Sequence, residues 1–186
     1  MIYDSSFYER NMKYQETLGL RIIPFLVKMY YPKSIIDFGC GSGLFLKTLS
    51  DKSDADYIGL NFDTPSNLII DRSKFISADF SKPINLERKF NLVISLEVAE
   101  HIDIKSADIF IDSLVNHSKG LIMFSAATPG QGGENHINEQ PHEFWHVKFG
   151  NYGFKKCDII RPIIKDDKTV PFWYRNNIFI YERGEK

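Results

Sequence analysis

The stretch that decides the fold of this chain is IIDFGCGSG, residues 35–43. It begins as a short apolar run with an acid near its end. Three glycines at alternate positions follow, and they lead into the helical stretch 44–49. Glycines permit positive φ angles and let a ligand lie against bare backbone. Ligands of open α/β sheets bind at the carboxyl ends of the strands, so this stretch predicts a strand, a ligand-binding loop and a helix in succession.

Short apolar segments alternate with helical ones around this loop. The predicted strands cover 34–38, 57–60, 74–78, 91–96 and 121–126, and the predicted helices cover 4–30, 44–49 and about 105–117. Such alternation predicts βαβ units and a parallel sheet. Two later segments, 157–161 and 177–182, are strand-like with no helical pattern between them, which predicts an antiparallel hairpin. The predicted fold class is α/β, a mostly parallel seven-stranded sheet with this C-terminal hairpin and helices on both faces.

Length, composition and charge indicate which broad classes of protein this chain can belong to. The chain has 186 residues, 43% hydrophobic and 25% charged, which predicts one globular domain. No apolar run approaches the ~20 residues that span a bilayer. The net charge of −1 argues against a non-specific nucleic-acid binder, since such proteins carry a basic excess. The two cysteines form no disulfide framework, and residues 1–11 lack a secretory pattern, so we expect a cytoplasmic protein.

The glycine spacing excludes two common nucleotide-binding motifs. Leu44 stands where a dinucleotide fingerprint needs its third glycine, and no G-K-[ST] follows at P-loop spacing. The pattern D-x-G-x-G-x-G instead resembles motif I of class I S-adenosylmethionine (SAM)-dependent methyltransferases. The resemblance implies the Rossmann-like fold of that family, SAM as methyl donor, and in-line transfer to a polar acceptor.

The resemblance continues in order over residues 35–126 and implies a donor site. Asp37 and the glycine loop would hold the methionine portion. Asp79, after the third strand, would accept a hydrogen bond from the adenine amino group, with Phe80 flanking the ring. Asn61 replaces the acid that usually binds the ribose, and so lacks the strength of a carboxylate. The implied cofactor-binding residues are Asp37, Gly39, Cys40, Gly41, Gly43, Asn61, Phe62, Asp79, Phe80 and Leu96.

A polar cluster follows the fourth strand. Glu97, Glu100 and His101 stand at i, i+3 and i+4, so a helical turn starting at Glu97 would place all three on one face. Carboxylates and imidazole suit Mg²⁺, Mn²⁺ or Fe²⁺. The arrangement resembles the metal-binding segment of small-RNA 3′-terminal 2′-O-methyltransferases and of ubiquinone-pathway O-methyltransferases, in which a later histidine, here matched by His136, completes the site.

This second resemblance implies a divalent metal at Glu97, Glu100, His101 and His136. It also implies His101 or His136 as general base, directly or through a metal-bound hydroxyl. The E-x-x-E-H pattern is also frequent across methyltransferases in which it only shapes the SAM pocket. Both interpretations stay open at this point.

About 60 residues remain for acceptor recognition, too few for a separate domain. We expect a helical lid at 1–33, a SAM-binding core at 34–126, and acceptor recognition by 127–186. The last part combines a polar, glycine-rich loop at 128–141 with ten of the 26 aromatic residues, which line the acceptor pocket or pack the sheet edge. A small-molecule hydroxyl or amine, such as a sugar or phenol, is the first expected acceptor, and the terminal ribose of RNA is the second. Monomer and homodimer both remain open.

Residues 142–146, HEFWH, form the pattern H-E-x-x-H. On a helix, His142 and His146 would share a face and bind Zn²⁺, with Glu143 as the general base of a hydrolase. No third-ligand motif follows, and a short amphipathic helix that packs Phe144 and Trp145 on the domain is the alternative. The sequence therefore leaves three classes: a methyltransferase, a SAM-binding module without catalysis, and a zinc hydrolase.

Overall fold

A computed structural model describes residues 5–184, and side chains from residue 9 onward. Within that range seven strands form one sheet: β1 (Ser34–Phe38), β2 (Asp56–Asn61), β3 (Phe75–Ser77), β4 (Leu92–Leu96), β5 (Leu121–Ser125), β6 (Phe154–Cys157) and β7 (Phe179–Arg183). The helices are α1 (Ser5–Tyr30), α2 (Leu44–Ser53), α3 (Ala107–Asn116), α4 (His142–Asn151), α5 (Arg161–Ile164) and α6 (Phe172–Asn177). None of these helices is long and apolar enough to cross a membrane.

The strand order is β3-β2-β1-β4-β5-β7-β6. Strands β1 to β5 pair in parallel, and β7 pairs antiparallel with both β5 and β6. The predicted fold class, a mostly parallel seven-stranded sheet with antiparallel C-terminal strands, is confirmed. Because the chain runs outward from β1 to β3 and then returns to β4 beside β1, the switch point of the sheet lies between β1 and β4. In open α/β sheets the ligand crevice lies outside the carboxyl ends of such strands.

The detail of the C-terminal hairpin is wrong in two respects. Strand β6 ends at Cys157 instead of beginning there, and helices α5 and α6 separate it from β7. The apolar pair that suggested a strand, Ile159 and Ile160, instead directly precedes α5, and Ile160 is buried four positions before Ile164 on one helical face. Pro162 lacks the N–H that a strand interior would need but suits a first helical turn.

The core lies on both faces of the sheet. Alternation along β1 sends Ile35 to one face and Ile36 to the other, and both are fully buried. Helices α1, α2, α5 and α6 cover the face of Ile35, and α3 and α4 cover the face of Ile36. Helix α1 continues through Pro24, and its packing on α2 places its N-terminal half beside the carboxyl ends of the strands. That half of α1 becomes one wall of the site.

Candidate functional site

A pocket of about 560 Å³ lies at the carboxyl ends of β1, β2 and β4. Its volume is in the range of sites that bind small molecules. Seven segments surround it: the glycine loop, the residues that follow β2, β3 and β4, the loop 131–136, and one face each of α1 and α6. Of the predicted site residues, those that line it are Gly39, Gly41, Asn61, Phe62, Asp79, Phe80, Leu96, Glu97, Glu100, His101 and His136.

The glycines of the loop are required by both conformation and packing. Gly39, Gly41 and Gly43 all have positive φ, between 54° and 97°, which other residues adopt only at a cost. A Cβ on Gly39 would lie 2.2 Å from the side chain of Val98, and one on Gly43 would lie 2.6 Å from Ile70. The loop therefore runs close to the segment after β4, with bare backbone facing the pocket.

Three predicted cofactor-binding residues lie behind the pocket wall. Asp37 is 5% exposed and Cys40 is 1% exposed, and Gly43 is the residue before α2. Burial raises the pKa of the Asp37 carboxyl to about 8. The Cys40 sulfur packs toward Gly59, because the strand-end turn directs this side chain into the core. These residues shape the loop, and none of them lines the pocket.

Asn61 and Asp79, for which the sequence resemblance implies contacts with ribose and adenine, both line the pocket. The Asn61 side chain accepts a hydrogen bond from the Gly41 amide at 3.4 Å and donates one to the Asp63 carbonyl at 2.9 Å. Asp79 accepts hydrogen bonds from the amide and hydroxyl of Ser81, which hold the pKa of its carboxyl below the ordinary value. Its carboxylate is thus ionised and fixed at the pocket edge. Phe80 lines the pocket, but its ring packs into the core against Phe38.

Glu100, His101 and His136 come together on the pocket wall. One ligand atom from each lies within 4.8 Å of the others, and they are the only such group among residues 9–184 that could hold a metal ion. The two imidazole rings meet edge to face with centroids 4.9 Å apart. His136 Nε2 lies 3.9 Å from Glu100 Oε1. Three of the four predicted metal ligands are therefore adjacent.

Glu100 is the most constrained member of this group. It is fully buried, and neither carboxylate oxygen has a hydrogen-bond partner of good geometry. Burial, followed by the nearby charge of Glu97, raises the pKa of the Glu100 carboxyl well above its ordinary value, although the backbone amides of Glu100 and Ala127 offset part of this. Buried polar atoms normally have partners, so these two oxygens fit a site for a cation.

Both histidines are oriented by acceptors on their Nδ1 atoms. His101 Nδ1 lies 3.2 Å from the Asn135 carbonyl, and His136 Nδ1 lies 2.9 Å from Glu139 Oε1. Since a carbonyl or carboxylate can only accept, each Nδ1 carries the proton and each Nε2 keeps its lone pair. Burial, with the neighbouring His136, lowers the pKa of His101 to about 4. A histidine that donates through Nδ1 can offer Nε2 to a metal ion.

Glu97, the fourth predicted ligand, lies outside this group. The predicted helical turn starting at Glu97 is wrong, because the residue has a φ of 55° and a short 3₁₀ turn begins only at Ala99. Its two carboxylate oxygens accept hydrogen bonds from Gln131 Nε2 at 2.8 Å and Asn177 Nδ2 at 3.3 Å. Glu97 thus links the end of β4 to the loop after β5 and to the end of α6.

Comparison with known proteins identifies the family. The model of a family described as a methyltransferase domain matches residues 8–157. The chain belongs to this methyltransferase family. Membership confirms the predicted enzyme class and, with the fold, the class I type and SAM as methyl donor. Among curated proteins no significant match is found.

Several solved structures share the fold of this methyltransferase and align with most of its chain. Magnesium protoporphyrin IX methyltransferase from Synechocystis PCC 6803, with bound SAM, is 18% identical over 92% of this chain and 80% of its own, with a TM-score of 0.64. A sugar N-methyltransferase from Streptoalloteichus is 13% identical over 90% and 87%, with a TM-score of 0.67. The methyltransferase domain of a bacterial CtHen1 is 19% identical over 92% and 98%, with a TM-score of 0.62. At these identities the likeness concerns the fold.

The pocket of the methyltransferase also includes residues that no sequence motif singles out. Tyr14 and Gln15 of α1 line it, and Tyr14 meets Trp173 of α6 edge to face at 5.2 Å. Arg10 forms an exposed ion pair with Glu134 at 3.6 Å. The aromatic turn around Trp173 is visible in the sequence, but the α1 residues carry no signal there beyond helical periodicity. Contacts across more than 100 residues bring them to the site.

The H-E-x-x-H residues of the methyltransferase have packing roles. His142 and His146 share a face of α4, as predicted, but His142 Nε2 contacts Asn177 Oδ1 and His146 Nδ1 contacts the Tyr181 hydroxyl. Both rings pack edge to face on Phe179. Among residues 9–184 no carboxylate joins them in a metal-binding group. The zinc-hydrolase alternative is therefore unsupported, and the motif joins α4 to the sheet.

Proposed function

We propose that this methyltransferase transfers the methyl group of SAM to a hydroxyl, or an amine, of a small polar acceptor such as a sugar or phenol. We further propose that a divalent cation held by Glu100, His101 and His136 anchors that acceptor. The observation that supports the proposal best is the position of this buried polar group in the same 560 Å³ pocket as Gly39, Gly41 and Asp79. Donor and acceptor sites would then share one wall.

The donor would lie across the carboxyl ends of β1 and β2. The bare backbone at Gly39 and Gly41 allows close approach of the methionine portion, and Asp79 offers an ionised acceptor for the adenine amino group. Asn61 has its carboxamide engaged with the glycine loop and the turn after β2. It therefore fixes the loop on which the donor lies.

Catalysis by such a pocket depends first on positioning. The pocket would hold the acceptor nucleophile against the methyl carbon of SAM, in line with the leaving sulfur. Such positioning supplies a large part of the reduction in the activation barrier. A bound Mg²⁺, Mn²⁺ or Fe²⁺ would lower the pKa of an acceptor hydroxyl. Without a cation, His136 is the stronger candidate for general base, because it lines the pocket and Glu139 holds its ring through Nδ1, which leaves Nε2 to accept a proton. His101, with its lowered pKa, is a weak base.

The size and walls of the pocket favour a small acceptor over RNA. SAM would occupy most of the volume, and α1 and α6 bound the remainder with Tyr14, Trp173 and Tyr174. Aromatic walls suit the face of a ring. The near-zero net charge offers no general electrostatic attraction for a polyanion. A terminal ribose stays the second candidate because it presents a single sugar to a metal-type motif.

The test is release of S-adenosylhomocysteine from SAM with a fixed acceptor panel: methyl glucoside, a nucleotide sugar, an aminosugar, catechol and a short RNA duplex. The enzyme is assayed after EDTA dialysis and after Mn²⁺ is restored. We expect turnover with a small acceptor, a loss of at least about tenfold on dialysis, and recovery with Mn²⁺. Turnover only with RNA would contradict the acceptor class. An unchanged rate after dialysis would contradict the cation and leave His136 as the base.

A further inference from the structure

The loop between β5 and α4 supports every member of the Glu100–His101–His136 group. The backbone amides of Ile137 and Asn138 donate to the Glu100 carbonyl at 2.9 and 3.0 Å. The carbonyl of Asn135 accepts from His101 Nδ1, and His136 belongs to the loop itself. A segment of four consecutive residues therefore fixes two ligand side chains and the backbone of the third.

Glu139 holds this segment in shape. Its Oε1 accepts hydrogen bonds from His136 Nδ1 at 2.9 Å and from the Gly132 amide at 2.7 Å, and its Oε2 accepts one from the Gly130 amide at 2.7 Å. One carboxylate thus closes the loop on itself and orients the His136 ring.

Gly133 makes room for the same ring. A Cβ at Gly133 would lie 2.4 Å from His136 Nε2 and 2.5 Å from its Cε1. At Gly130, which also has positive φ, a Cβ would meet nothing within 4 Å. A side chain at position 133 would therefore collide with Nε2, the nitrogen proposed to bind the cation. Only glycine leaves room for the His136 ring in its present position.

We propose that Glu139 is a positioning residue for the cation site, which fixes the His136 ring for metal binding, and that Gly133 is the position that admits this ring. The inference rests on the proposed cation site and deepens it. Carboxylates that accept the remaining N–H of a ligand histidine fix its tautomer and orientation. Glu139 is placed to do this for His136 and also ties the ring to the backbone of the loop. Glu139 does not line the pocket, so its effect would pass through His136.

The experiment measures Mn²⁺ binding by calorimetry in the metal-free full chain. Glu139→Gln keeps the shape of the side chain but replaces an acceptor oxygen by an NH₂ group and removes the charge beside His136. We expect Mn²⁺ affinity to fall roughly tenfold to a hundredfold. Glu143→Gln is the matched control, since this exposed residue of α4 loses the same charge outside the pocket. Equal Mn²⁺ affinity in Glu139→Gln and the wild type would overturn the proposal.

Two glycine variants distinguish displacement of the His136 ring from strain in the loop backbone. Gly133→Ala and Gly130→Ala both place a side chain at positive φ, but only the first collides with His136. We expect Gly133→Ala to weaken Mn²⁺ binding strongly and Gly130→Ala to leave it near the wild-type value. Equal loss in both variants would contradict the role of Gly133. S-adenosylhomocysteine affinity is measured in parallel and should be unchanged throughout, because a purely destabilised fold would lower both affinities.

The outcomes distinguish this inference from the proposed function. A wild-type chain that binds S-adenosylhomocysteine but no Mn²⁺ would overturn the cation site and the inference together, and would leave methyl transfer intact. A wild-type chain that binds Mn²⁺ with an unaffected Glu139→Gln variant would overturn the inference alone. Calorimetry reads binding directly, so neither result depends on knowing the acceptor.

Discussion

Glu100 is the side chain whose surroundings point most directly to a cation. A carboxyl group that is fully buried, lacks a good hydrogen-bond partner and lies beside two imidazoles must either keep its proton or face a cation. Asp79 shows the opposite case. Its carboxylate lies at the pocket edge, ionised by its hydrogen bonds to Ser81. These two acids divide the pocket into a side suited to a cation and a side suited to a neutral hydrogen-bond donor.

The proposed role of Asp79 in donor binding can be tested separately from its role in local structure. Asp71 forms the same kind of turn, with its carboxylate accepting from the amide and hydroxyl of Ser73, but it lies outside the pocket. We expect Asp79→Ala to weaken S-adenosylhomocysteine binding roughly tenfold to a hundredfold, the value of a charge-assisted hydrogen bond. Asp71→Ala should leave that affinity unchanged in the same calorimetric titration. Equal affinities in the two variants would show that Asp79 does not contact the donor.

At the scale of elements, the site is closed by segments far apart in the chain. Helix α1 brings Tyr14 to the pocket, and α6 brings Trp173 and, at its end, Asn177. Asn177 is 1% exposed and donates to both Glu97 and Gln131, while its oxygen faces His142. Helix α6 therefore holds this side of the pocket against the carboxyl end of β4.

The two tryptophans provide a test of this closure. Trp173 lines the pocket, whereas Trp145 is 2% exposed in the core beneath α4. We expect S-adenosylhomocysteine to change the intrinsic fluorescence of the protein through Trp173 only, because a polar ligand alters the surroundings of an indole at the pocket wall. Titration of Trp173→Phe should then give no change in emission, and Trp145→Phe should keep the wild-type response. A response lost in Trp145→Phe instead would place the ligand away from α6.

For the molecule as a whole, the sequence predicted those elements whose residues follow a pattern within a short stretch of chain. Glycine spacing after an apolar strand located the loop, and alternation located β1 to β5 within one or two residues. The helix after β6 was not predicted because Ile159 and Ile160 suit a strand as well as a helix start, until the burial of Ile160 and Ile164 on one helical face is known. Glu139 and Tyr14 were missed because their roles arise from long-range contacts, which leave no spacing in the chain.

The burial of acidic side chains around the pocket also determines how the stability of the folded protein depends on pH. Burial raises the pKa of Asp37 from 3.8 to about 8, so between those values the folded chain keeps a proton that the unfolded chain releases. Stability therefore falls as pH rises through this window, by at most about 1.4 kcal/mol per pH unit for this group. Raised pKa values of Glu97 and Glu100 act in the same direction.

Asp37→Asn isolates this contribution, because the amide is neutral at every pH. We expect the variant to gain stability relative to the wild type as pH rises from about 5 to about 8, measured as free energies of unfolding in urea. The remaining slope would belong to Glu97 and Glu100, and Mn²⁺ should reduce it, since a bound cation favours the ionised carboxylate of Glu100. A difference between variant and wild type that stays constant with pH would mean that Asp37 titrates alike in both states. The burial of an acid beneath the glycine loop would then carry no cost in stability.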